Sequence, residues 1–119
     1  MKDLHLSPTE SRFADIIWEE NGIASGELAK KAEEALGWKR TTSYTVLKRL
    51  CERGIFENKG GEVNPLISRE DFYAMQSEKV VEESFSGSLP AFVAAFAGRK
   101  KLSDKEIDEL QRLIDGMRG

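Results

Sequence analysis

The stretch from Trp38 to Val63 constrains this chain more than any other. Between about Thr41 and Arg53 the apolar residues Val46, Leu47 and Leu50 recur at helical spacing, and Ile55 continues them after a stop at Gly54. The opposite stripe is polar, with Thr41, Tyr44, Thr45 and Lys48. That pattern predicts a helix with a buried back and an exposed front. Directly after it, Ile55-Phe56-Glu57 and Glu62-Val63 flank Asn58-Lys59-Gly60-Gly61. Two extended runs around glycines predict a β-hairpin, because tight hairpin turns need the positive φ that glycine adopts freely. Pro65 either confines the second strand to an edge or ends it, since proline has no N–H for a neighbouring strand.

Two helices precede this unit. The first opens at Ser7-Pro8-Thr9-Glu10, where Ser7 can cap, Pro8 suits the first helical position and Glu10 completes a capping box. Phe13, Ile16 and Ile17 form its stripe, widened by Ala14 and Trp18, and Asn21-Gly22 ends it. Ile23-Ala24 reads as short and extended. Ser25 is expected to cap the second helix, which buries Leu28, Ala29, Ala32 and Leu36 before Gly37 stops it. Three short helices followed by a hairpin is the order of a winged helix-turn-helix, so the expected fold class is α+β, mostly α. Downstream, Ser68 can cap a long helix carrying Phe72, Met75, Val80, Val81 and Phe85 as far as Ser86-Gly87. A short helix follows, with Leu89, Phe92, Val93 and Phe96, and Pro90 is tolerable in its first turn. After a basic linker at Gly98-Arg99-Lys100-Lys101, Ser103 and Glu106 form a second capping box for a helix with Ile107, Leu110, Leu113, Ile114 and Met117. The expected division is a winged-helix domain over residues 1–67 and a helical part over residues 68–119.

With 119 residues, the chain has room for one compact domain and a short appendage. No apolar run approaches the roughly 18 residues of a membrane span. Met1-Lys2-Asp3-Leu4-His5 carries an acid and leads straight into a helix start, so no signal peptide and a cytoplasmic location are expected. One cysteine excludes an internal disulfide, and with one histidine it makes a protein-only zinc site improbable, so no metal or cofactor is expected. The net charge of −3 argues, taken whole, against nucleic acid. The distribution reverses that inference. Residues 36–60 carry six basic side chains against two acidic ones, a local +4, whereas residues 61–119 carry −3. Local field governs binding more than total charge does.

On this reading the third helix presents its front to the major groove of double-stranded DNA. Lys39, Arg40, Lys48 and Arg49 would neutralise phosphates, and Lys59 would do so from the hairpin. Thr41, Thr42, Ser43 and Thr45 offer small hydroxyls for phosphates and base edges, and Thr41, Thr42, Tyr44 and Thr45 would face the bases or the groove wall. The plainer alternative is that the threonines serve as caps and the basic residues are merely solvated. A winged helix can also be a protein-interaction module, its basic patch meeting an acidic protein surface, or it can keep DNA binding and act as an activator. Phe72, Met75, Phe85, Phe92, Val93 and Phe96 are too many large apolar residues for loosely joined helices. They either fold back on the winged helix or enter a second subunit. The expected dimerisation residues are Phe85, Leu89, Phe92, Val93, Phe96, Ile107, Leu110 and Ile114. Cys51 reads as a core filler, His5 as surface, and Trp18 and Trp38 as packing residues. Glu33-Glu34, Glu82-Glu83 and Glu106, Asp108 and Glu109 read as solvated faces. No nucleophile motif, phosphate loop or HExxH spacing occurs, so no catalytic residue and no enzymatic activity are expected.

The segment from Trp38 through Lys39-Arg40-Thr41-Thr42-Ser43-Tyr44-Thr45-Val46-Leu47-Lys48-Arg49-Leu50 to Gly54 resembles the recognition-helix signature of the BlaI/MecI/CopY penicillinase-repressor family. The resemblance extends upstream to Ser7 and Ile16-Ile17-Trp18, resumes at Pro65–Phe72 and covers Leu102–Leu110. It implies a dimeric bacterial repressor with an N-terminal winged helix, a C-terminal helical dimerisation part and a palindromic operator. It places Thr41, Thr42, Tyr44, Thr45 and Arg49 at positions the family uses for DNA. In antibiotic-responsive members it also implies a membrane sensor-protease as partner, which triggers cleavage of an Asn-Phe bond; this sequence has Ala95-Phe96 there. Copper-responsive members end in a cysteine cluster, whereas this sequence ends in Asp115-Gly116-Met117-Arg118-Gly119. The hairpin is shorter than in typical members.

Overall fold

The computed structural model describes residues 5–118. Met1–Leu4, part of the segment read as carrying no signal peptide, and Gly119 lie outside the described residues. The chain divides into two compact units, Met1–Ser77 and Glu78–Gly119.

The first unit opens with helix α1 (Pro8–Glu20). Its start is the expected reciprocal box: the Glu10 N–H donates to Ser7 Oγ at 3.2 Å and the Ser7 N–H donates to Glu10 Oε1 at 2.9 Å. Asn21 in the left-handed conformation (φ 50°) closes the helix. Replacing Ser7 with Ala removes one of these two bonds and is expected to lower the unfolding free energy by about 1 kcal/mol, read as a shift of the urea midpoint at unchanged slope.

Strand β1 (Ile23–Ala24) leads into α2 (Ser25–Leu36). Here the structure corrects the sequence expectation. Ser25 does not cap α2; the N-cap is Ala24 and makes no side-chain bond. The Ser25 N–H, the first of the helix's donors without an intrahelical partner, instead donates to the Gly61 carbonyl at 2.7 Å, so the hairpin turn satisfies it. At the other end Gly37 (φ 69°) turns the chain out of α2, and Arg12 Nη2 donates to the Ala35 carbonyl at 3.1 Å. Helix α3 spans Arg40–Glu52, one residue earlier at each end than its apolar pattern suggests.

The hairpin pairs β2 (Phe56–Lys59) with β3 (Glu62–Pro65), Asn58 opposite Val63 and Phe56 opposite Pro65. Gly60 and Gly61 both have positive φ, at 58° and 86°, which lets a two-residue turn follow the strand twist. The strand order is β1-β3-β2, with Ile23 opposite Val63. Thus β3 is the central strand, and Pro65 ends it rather than marking an edge. Beyond the proline, the Leu66 and Ile67 N–H groups both donate to the Ile55 carbonyl, at 2.9 and 3.3 Å.

The core of this unit joins Phe13, Ile17, Leu28, Leu50, Ile55, Phe56, Val63 and Phe72, all essentially inaccessible to solvent. Trp18 borders it, 5.2 Å from the Phe56 ring and 5.4 Å from the Phe72 ring, and its indole N–H donates to the Ile67 carbonyl at 3.0 Å. Phe72 lies near the start of α4 (Arg69–Ser84), whose first turn is capped by Ser68 Oγ accepting from the Asp71 N–H at 3.1 Å. Of the large apolar residues with two candidate destinations, Phe72 therefore folds back onto the winged helix.

The second unit contains the end of α4, then α5 (Leu89–Ala97) and α6 (Asp104–Met117). Ser86 (φ 50°) and Gly87 (φ 78°) turn the chain between α4 and α5, and the Phe85 and Phe92 rings meet edge-on at 5.4 Å. Ser88 caps α5, and Ser103 with Glu106 forms the expected box at α6. No residue of α5 or α6 is buried.

Candidate nucleic-acid interface

What α3 presents follows from what anchors its back. Val46, Leu47 and Leu50 are buried in the core, and the Trp38 ring packs at 5.1 Å against Phe13, holding the turn that launches the helix. Ser43 is buried as well, with its hydroxyl partnerless among the described residues. That corrects its place among the DNA-facing hydroxyls: at helical spacing Ser43 falls on the same side as Val46, Leu47 and Leu50, and only its small size conceals this in the sequence.

The remaining predicted residues are exposed. Lys39 precedes the helix as its N-cap in extended conformation, and Arg40, Thr41, Thr42, Tyr44, Thr45, Lys48 and Arg49 line the side of α3 away from the core. Lys59 stands apart on β2, 82% exposed, with Nζ 3.5 Å from Glu57 Oε1. The hydroxyls are not equivalent. Thr45 Oγ1 donates to the Thr41 carbonyl at 2.8 Å, leaving its lone pairs as acceptors, whereas Thr41 and Thr42 are exposed at the start of the helix. The N-terminal residues of a recognition helix are those that reach base edges when it lies in a major groove.

The local +4 is not distributed as six free cations. The Arg53 guanidinium donates to the His5 carbonyl at 2.9 Å, and Arg49 Nη1 lies 3.4 Å from Glu10 Oε2. Among the described residues Lys39, Arg40 and Lys48 make no ion pair. Arg40 reaches over the start of α2, its Nη2 3.5 Å from where a side chain on Gly26 would begin. Glu10 is the residue that sequence reasoning placed correctly as a cap yet missed as a neighbour of this surface. Its partner is 39 positions away, and no local pattern reports such a meeting. Cys51 sits half-buried beside the core, and burial pushes its thiol pKa up, as suits a packing residue.

The second unit carries the other candidate surface. Leu89, Val93, Phe96, Ile107, Leu110 and Ile114 are each 39–56% exposed, while Phe85 and Phe92 are partly covered. Phe92, Val93, Phe96, Leu102, Leu110 and Leu113 line an apolar groove edged by Glu106 and Glu109.

The family profile described as penicillinase repressor matches residues 6–116. The penicillinase repressor of Bacillus licheniformis is 27% identical over 114 residues, covering 92% of this chain and 89% of that protein. The methicillin resistance regulatory protein MecI of Staphylococcus aureus strain Mu50 is 23% identical over 118 residues, covering 96% of each. A penicillinase repressor of Staphylococcus aureus is 21% identical, covering 96% of this chain and 94% of its own length.

Proposed function

The chain belongs to the penicillinase repressor family, and from that premise we propose that it is a homodimeric transcriptional repressor reading a dyad-symmetric DNA operator with the front of α3. The family is one of DNA-binding repressors rather than enzymes, and the relatives named above are bacterial regulators. The observation that carries the reading is the exposed row from Lys39 to Arg49 on a helix whose opposite side is locked in the core. Thr41, Thr42, Tyr44 and Thr45 are the candidates for bases and groove wall, with Lys39, Arg40, Lys48, Arg49 and Lys59 for phosphates. Pairing of two copies is supported by α5 and α6: helices with no buried residue and a continuous apolar side gain their stability from a surface that covers them.

Selection from random duplex DNA tests the reading. Recovery of a dyad-symmetric site supports it; recovery of nothing at low salt overturns it in favour of a protein partner for the basic face. Lys48→Ala is expected to weaken binding to all sequences and to make the dependence of affinity on salt shallower by about 1 in log–log slope. Unchanged binding would mean that Lys48 is only solvated.

A membrane sensor-protease belongs to the same proposal. Ala95-Phe96 lies within α5, so cleavage there would first require local unwinding. Among the described residues, no helix is long and apolar enough to cross a membrane.

A further inference from the structure

Glu10 is held more firmly than a surface carboxylate. One of its oxygens accepts the Ser7 N–H at 2.9 Å, and its side chain is only 14% exposed. The bond from the Ser7 backbone, with the nearby charges of Arg53 and Arg49, outweighs partial burial and keeps its carboxyl below the usual carboxylate pKa, hence ionised. Its second oxygen faces Arg49 Nη1 at 3.4 Å, at the end of the exposed row assigned to DNA. Arg49 itself is half exposed, so a phosphate can approach the same guanidinium. An arginine already neutralised by a fixed carboxylate displaces less than one counterion when it meets DNA.

We infer that Glu10 is an intramolecular competitor of DNA phosphate for Arg49 and that it lowers the sequence-independent affinity of the protein for duplex DNA. The inference rests on the reading of α3 as the DNA-facing helix. It gives a physical reason why a chain with a local +4 need not cling to every duplex it meets. The rest of the basic row attracts phosphate at full charge, and Arg49 exchanges one anion for another.

The test is a salt titration of binding to a random-sequence duplex by the full chain and by Glu10→Gln. Glutamine keeps an oxygen for the Ser7 N–H and is an accepted partner in a capping box, so the fold is retained; an unchanged melting curve checks this. The expected result is binding tighter by about two- to five-fold near 0.1 M salt, with a log–log slope steeper by up to about 1. In an Arg49→Gln background the same Glu10→Gln change is expected to add almost nothing. Equal or weaker binding by Glu10→Gln overturns the inference. So does a gain of equal size with and without Arg49, because Glu10 would then act only as a diffuse negative charge. Failure of the original chain to bind any duplex at low salt overturns the DNA reading itself, a result seen before any variant is compared.

Discussion

Phe56→Ala is expected to lower the unfolding free energy by about 3–5 kcal/mol. Phe56 is wholly inaccessible to solvent, opens β2 opposite Pro65 and packs 5.2 Å from the Trp18 ring. Its neighbour Ile55 is equally buried and accepts the two backbone bonds that follow Pro65. The ring thus joins the hairpin to the helices, and neither side can collapse into the space it leaves without breaking strand pairing. A loss of that size is a large share of the roughly 5–15 kcal/mol available to a typical domain. Chemical denaturation followed by tryptophan fluorescence reads it directly, since Trp18 touches the site. A loss under about 1 kcal/mol would show that the hairpin is an accessory and not part of the core.

Leu110→Lys should have the largest effect on binding. Leu110 lies on the apolar side of α6 and lines the groove with Phe92, Val93 and Phe96. A charge placed there cannot be buried against a second copy without a heavy desolvation cost. The helix itself should survive, because Glu106 one turn earlier is the favoured partner for a lysine at that spacing. Sedimentation equilibrium at micromolar concentration is expected to show a dimer for the original chain and a monomer for the variant. Affinity for a selected dyad site should then fall by about 10²–10⁴-fold, as two half-sites cease to be bound as one unit. A variant that still sediments as a dimer, or an original chain that is monomeric, would sink the assignment of this surface.

Much of the winged helix was legible because its signals are local. A capping box lies within one turn of helix, so Ser7-Glu10 and Ser103-Glu106 could be named from spacing alone. Glycines at the ends of α2 and of the hairpin turn adopt positive φ at Gly37, Gly60 and Gly61, a preference set by the missing Cβ. The apolar stripe of α3 predicted which side is buried, except at Ser43, where a small polar residue sits among core positions. Ser25 misled for the opposite reason: a good capping residue stands where the hairpin already supplies an acceptor through Gly61.

What the sequence determined by itself is the succession of elements and the concentration of positive charge at the third helix, the one feature able to override an acidic whole. Both depend on residues a few positions apart, where chain geometry leaves few choices. The tertiary structure decided the central place of β3, the return of Phe72 to the core, and the meeting of Glu10 with Arg49. Each joins distant parts of the chain, and each depends on how the elements pack around a shared core, which spacing along the sequence does not encode.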